Sequence, residues 1–72
     1  MTNRDFYVFC RDKRKTEEDP HKKVVLQETY NFMWECGVTK DGIKDFVNRM
    51  IADPKNASKV EAFNWLLGIF GV

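Results

Sequence analysis

The stretch from Ser58 to Val72 constrains this chain most. Wound as a helix at roughly 100° per residue, it spreads Val60, Ala62, Phe63, Trp65, Leu66, Leu67, Ile69, Phe70 and Val72 around most of the circumference. Only Glu61, Asn64, Gly68 and Gly71 share a polar strip, about a quarter of the circle. A surface helix buries one stripe, so a helix apolar nearly all round must be covered on several sides. The chain has 72 residues with which to supply that cover. At this length it makes one domain, 1–72, that buries only about 60% of its unfolded surface. Such a domain is marginal unless a disulfide, a metal or association supports it.

Each support can be weighed from composition. Cys10 and Cys36 allow at most one internal bridge, and their spacing leaves pairing open. The opening residues are polar and charged with no secretory pattern, so the expected setting is cytoplasmic, with reduced thiols. Two cysteines and the single His21 cannot complete a four-ligand zinc site, and Glu17, Glu18, Asp19 and His21 on a linker rarely converge on a cation. No cofactor is expected. Association remains, with a second copy as a homo-oligomer or with another protein.

In chain order, Asp5 to Cys10 is ambiguous. Its β-branched and aromatic content suits a strand, which would have to pair across a dimer, since the chain offers no second candidate. As a helix it gathers Phe6, Tyr7, Phe9 and Cys10 within about 160°, and Thr2 with Asp5 resembles a capping box. The helical reading, about 3–14, is preferred. The cluster Arg11-Asp12-Lys13-Arg14-Lys15 is followed at once by Glu17-Glu18-Asp19, which cancels much of its field. It reads as a solvated connection rather than a phosphate-binding patch.

Asp19 as N-cap and Pro20 at the first helical position open a second helix, 20–36, which Gly37 closes. Its apolar face carries Val25, Leu26, Thr29, Tyr30, Phe32, Met33, Trp34 and Cys36 over about 200°, too wide for one neighbour. Tyr30 and Trp34 stand one turn apart at the edge of that face, beside Lys23 and Gln27. Tyr30 is expected to anchor a partner and Trp34 to complete the core. Thr39 caps a third helix, 40–52, lined by Ile43, Phe46, Val47, Met50 and Ile51, with Asp45 and Arg49 spaced as a favourable pair. Asp53-Pro54 ends it, Lys55 to Ala57 reads as a tight loop, and Ser58 with Glu61 forms a capping-box signature for a last helix, 58–71. Asn56-Ala57-Ser58 also matches a glycosylation acceptor, but the capping reading is preferred. The expected fold is an all-α bundle of three to four short helices, packed as antiparallel neighbours.

Chemistry is scarce. Cys36 lies near a helix C-terminus, where the dipole disfavours a thiolate, and Cys10 falls on a core face. There is neither a strained Ser/His/Asp arrangement nor a glycine-rich phosphate loop. The chain does not read as an enzyme.

The run Phe32 to Ile43 resembles the turn of helix-turn-helix DNA readers. Gly37, Val38, Thr39 and Ile43 occupy the places of the helix-ending glycine, the apolar turn residue, the cap and the β-branched core residue, and Phe46 the next core place. The resemblance implies a DNA-binding protein with residues 39–49 as recognition helix. Lys40, Asp41, Lys44 and Asn48 would then face the major groove and Arg49 a phosphate. Met33, Gly42, Asp41 and Asp45 depart from that pattern in size, helix propensity and charge.

The leading expectation is a non-enzymatic protein-interaction module, a regulator or inhibitor that docks helix faces on a protein partner. Ten aromatics in 72 residues supply the surplus surface, with Tyr30, Trp34, Phe63, Trp65 and Phe70 as contact residues. Small size and plain composition suggest a bacterial or phage-encoded origin. Phe63 to Val72 lacks the Lys/Arg-rich polar face of an interfacial helix and is too short to span a bilayer, so a membrane partner is not expected.

Overall fold

The computed structural model describes residues 1–71; Val72, read above as part of the last apolar face, lies outside the described residues. Four α-helices follow one another, α1 (Asn3–Thr16), α2 (Pro20–Cys36), α3 (Lys40–Ala52) and α4 (Val60–Phe70), with a 3-10 segment at Pro54–Lys59. No strand occurs among the described residues, so the ambiguous first element is a helix. Its capping box forms: Thr2 Oγ1 accepts from the Asp5 amide at 3.0 Å, and Asp5 accepts the Thr2 amide at 3.4 Å. α1 runs two residues past the expected end, so Arg11 to Lys15 belongs to a helix and is no connection.

Local chemistry sets the middle boundaries where the sequence places them. The Asp19 carboxylate accepts from the amides of His21 and Lys22 at 2.9 and 3.0 Å, satisfying two of the orphan donors at the start of α2. Gly37 closes that helix at φ 89°, a backbone region that other residues seldom adopt. Thr39 caps α3 through the Gly42 amide at 3.0 Å.

The start of α4 departs from expectation. Ser58 does not cap it; the Asp53 side chain accepts from the Lys55 amide and opens the 3-10 segment six residues earlier in the chain than α4 itself begins. The buried Asn56 side chain then reaches back to donate to the Met50 carbonyl at 2.9 Å, satisfying the last turn of α3. This amide is an internal hydrogen-bond donor, which is why the glycosylation-like triplet is part of the fold. The expected Asp45–Arg49 pair is also missing: among the described residues the ion pairs are Arg11–Asp12, Lys13–Glu17 and Lys59–Glu28.

α1 lies antiparallel along α2. Asn3 donates to the Val38 carbonyl, Tyr7 meets Tyr30 and Arg14 bonds Gln27, so numbers rise on one helix as they fall on the other. α4 packs on both α2 and α3. Aromatic contacts tie the layers together: Phe6 of α1 stacks on Phe70 of α4 at 4.0 Å, Phe32 of α2 stacks on Phe46 of α3 at 4.4 Å, and Phe46 meets Phe63 edge-on at 6.4 Å. Around them Cys10, Val25, Leu26, Met33, Ile43, Val47 and Leu66 are buried.

The cover demanded by the last helix is thus supplied internally. Ala62, Phe63, Leu66 and Phe70 are buried, while Val60, Trp65, Leu67 and Ile69 are half-buried. Only Glu61, Asn64 and Gly68 of α4 are exposed, and they are the polar strip. The total accessible surface, 4535 Å² for 8.5 kDa, matches the roughly 4,700 Å² of a compact monomer of that mass.

Candidate protein-docking surface

With α4 covered, the exposed apolar surface lies elsewhere. Trp34 is 69% exposed, the most exposed of the large hydrophobic side chains, against 53% for Met1 and 43% for Val24. The expectation for the two edge aromatics of α2 is therefore reversed. Tyr30 is half-buried and Trp34 is open, because α1 lies against Tyr30 through Tyr7 and leaves the ring one turn further on mostly in solvent.

α1 lies along the Tyr30 edge of α2, one turn before Trp34. On α1, Arg4, Tyr7, Arg11 and Arg14 recur at helical spacing and form one stripe. Tyr7 packs on Tyr30 with ring centroids 5.4 Å apart. The neighbouring Tyr30 hydroxyl, and burial after it, raise the Tyr7 phenol above its ordinary pKa of 10.0. The Arg14 guanidinium lies 4.5 Å from the centre of the Tyr30 ring and donates to Gln27 at 3.2 Å; Gln27 in turn donates to Asn31 at 2.9 Å. These contacts tie Tyr30 and Gln27, one and two turns before Trp34 on α2, to Arg14 of α1. Asn31 and Glu35 flank Trp34 in a shallow groove of about 340 Å³. Arg11 stays at the surface, where its hydrogen bond to Asp12 at 2.9 Å lowers the Asp12 carboxyl below its usual range.

The other expected contact residues are placed differently. Phe63 and Phe70 are core rings, 0% and 1% exposed, since the edge-on contact with Phe46 and the stack on Phe6 consume their faces. Trp65 is half-buried, with the Lys22 ammonium 4.8 Å from its ring centre. These two side chains border a groove of about 290 Å³ that also includes Asp19, His21, Ser58 and Glu61. The acids of the α1–α2 connection do not converge on a cation: Asp19 is committed to the cap of α2, and Glu17 accepts from the Asp19 amide at 3.2 Å. Among the described residues no group of three His, Cys, Asp or Glu is arranged to hold a metal.

On α3, Lys40, Asp41, Lys44, Asn48 and Arg49 are all exposed, and the Lys40 ammonium lies 5.6 Å from the Phe70 ring centre. Cys10 is buried and its thiol is pushed up to about 12 by loss of hydration; Cys36 is exposed, and both are free. No helix among the described residues is long and apolar enough to cross a membrane.

Tyr7, Arg11 and Arg14 were not singled out from the sequence as members of a site. The recurrence of Arg4, Tyr7, Arg11 and Arg14 on one helical stripe is the signal that carries them, and it becomes meaningful only once α1 is known to lie on the Tyr30 edge of α2. Comparison with protein-family models, with curated proteins and with solved structures returns no match to this chain.

Proposed function

We propose that this chain is a non-enzymatic protein-interaction module, acting as a regulator or inhibitor, and that it docks through the α1–α2 surface centred on Trp34. The observation that carries the reading is the open indole on an otherwise well-covered bundle. At 69% exposure, Trp34 leaves roughly 170 Å² of a side chain of about 250 Å² in water. Covering that area is worth about 4 kcal/mol in gross transfer free energy. Tryptophan, tyrosine and arginine, which the α1–α2 surface combines, are the residues that carry most binding energy in protein interfaces. The internal contacts of Arg14, Gln27 and Tyr30 lower the ordering cost of docking there.

The test is affinity capture from lysate of the source cell, with the parent, Trp34→Ala and Trp65→Ala run side by side after nuclease treatment. The expected outcome is a protein retained by the parent and by Trp65→Ala and lost with Trp34→Ala. Capture that survives Trp34→Ala, or that nuclease abolishes, refutes the reading.

A second reading, DNA binding through α3, is favoured by one observation. The five side chains it needs (Lys40, Asp41, Lys44, Asn48 and Arg49) are all exposed on one helix. Asp41 and Asp45 oppose it by placing two carboxylates among those cations, against the phosphate field. Failure of pooled duplex fragments to bind at low salt eliminates it. Binding that falls steeply with salt and is weakened by Lys40→Ala with Lys44→Ala establishes it.

A further inference from the structure

The α1–α2 surface has a charge as well as an open ring. Helix α1 carries Arg4, Arg11, Lys13, Arg14 and Lys15 against Asp5 and Asp12, a net charge of +3 in a chain whose total is +1. The rest of the molecule is therefore slightly acidic, and the basic excess is concentrated on one helix. Its cations are not equivalent. Lys13 is paired with Glu17 at 3.3 Å, and Arg14 is engaged with Tyr30 and Gln27. Arg4 and Lys15 are exposed and have no ion-pair partner among the described residues. Arg11 has only its exposed sequence neighbour Asp12, a pairing that water and salt weaken. The α1–α2 register puts Arg4 in the first turn of α1 beside the last turns of α2, the end where Trp34 stands.

We infer that the partner docked here, taking the reading proposed above, presents an acidic segment of a protein. An aliphatic or aromatic side chain of that segment lies on Trp34, and its carboxylates face Arg4 and Arg11. Three occupants compete, and charge and ring geometry separate them. A second copy of the chain, meeting this surface through a twofold axis, sets Arg4 and Arg11 against their own like charges. A single-stranded nucleic acid needs successive open rings on which to stack its bases. Here one face of Tyr30 is occupied by Arg14 and Tyr7 leans on Tyr30, so one open ring remains on this surface. An acidic polypeptide needs one apolar anchor point and two or three cations spaced along a helix, which is what the surface offers.

Probe peptides of defined charge test this. A Trp65→Phe variant leaves Trp34 as the sole indole, so its fluorescence reports the site. The titrants are a short peptide of glutamate and leucine at helical spacing, the same peptide with glutamine in place of glutamate, and an oligothymidylate of similar length. The expected result is a saturable change in Trp34 emission with the glutamate peptide, weakened about five- to tenfold in Arg4→Gln with Arg11→Gln and by about 0.5 M salt. The glutamine peptide is expected to bind several-fold more weakly than the glutamate peptide. Far-ultraviolet circular dichroism of the variants confirms an intact fold.

Equal binding of the two peptides overturns the acidic-segment inference while leaving a Trp34 docking surface in place. A response to oligothymidylate at least as strong as to the glutamate peptide overturns it in favour of a nucleic acid. Silence toward all three, with Trp34-dependent capture from lysate preserved, also overturns the inference and leaves the proposed function standing.

Discussion

Replacing Thr29 by valine is expected to stabilise the fold. Thr29 sits in α2 with no exposed surface, and its hydroxyl is shut from solvent with no hydrogen-bond partner. A helical threonine can bond to a carbonyl one turn earlier, but here that bond is absent. A buried hydroxyl without a partner costs about 1–3 kcal/mol. Valine has the same branched shape and nearly the same helix propensity, so the substitution removes the penalty without opening a cavity. The expected gain is about 1–2 kcal/mol, or about 4–8 °C in Tm for each kcal/mol in a domain of this size. In urea the midpoint should rise with an unchanged slope. Thr29→Ser, which keeps the hydroxyl and deletes the methyl, is expected to lose about 1 kcal/mol in the same experiment. A valine variant about 1 kcal/mol less stable than the parent would show that the hydroxyl is bonded in the folded chain and refute the reasoning.

Two glycines in helices should respond differently to alanine. Open space surrounds the Cβ position at Gly68, so Gly68→Ala should stabilise by about 1 kcal/mol. At Gly42 the new Cβ would come within 2.7 Å of the Thr39 hydroxyl that caps α3, and the lost cap offsets the helical gain to within about 0.5 kcal/mol. Thiol labelling of the folded protein at neutral pH should modify Cys36 quickly and Cys10 only on opening, as peptide mass spectrometry would show. Because burial raises Cys10 from 9.0 to about 12, its contribution to stability is complete below pH 9 and is lost as pH rises through that interval. Glu17 and Asp19 are held below their ordinary 4.5 and 3.8, by the Asp19 amide and first by the Lys22 amide respectively. Their contribution is present above those values and falls away as pH drops below them. Asp19→Asn keeps the cap acceptor without titrating and should flatten the acid limb of a Tm–pH profile.

The parts of this fold that were legible in the sequence are those fixed by neighbours in the chain. Asp19-Pro20, Gly37 and Thr39 each settle their own backbone, and the bounds of α2 and α3 coincide with the observed ones. The start of α4 was not legible, although Ser58 and Glu61 carry the right spacing. Asp53 captures the Lys55 amide first, and Asn56 anchors the segment to Met50, a contact whose geometry depends on where α3 ends. The polar strip of α4 is legible in the sequence, whereas its wide apolar face, which suggests surplus surface, is covered within the bundle. Periodicity shows which residues avoid water and leaves open whether Phe6, Phe46 or a partner covers them. The same limit explains Trp34. On a face about 200° wide, which edge becomes core depends on the side where α1 lies, and that is set by Tyr7, Arg14 and Asn3 across the helix pair.

The claim that Trp34 is an open docking ring on a self-sufficient bundle is tested most directly by urea unfolding of Trp34→Ala beside Phe63→Ala. Phe63 is fully buried, and its truncation is expected to cost about 3–5 kcal/mol. Trp34→Ala should leave the unfolding free energy within about 1 kcal/mol of the parent, as a surface change does. A loss of about 3 kcal/mol or more on removing the indole would place it in the core and contradict the account.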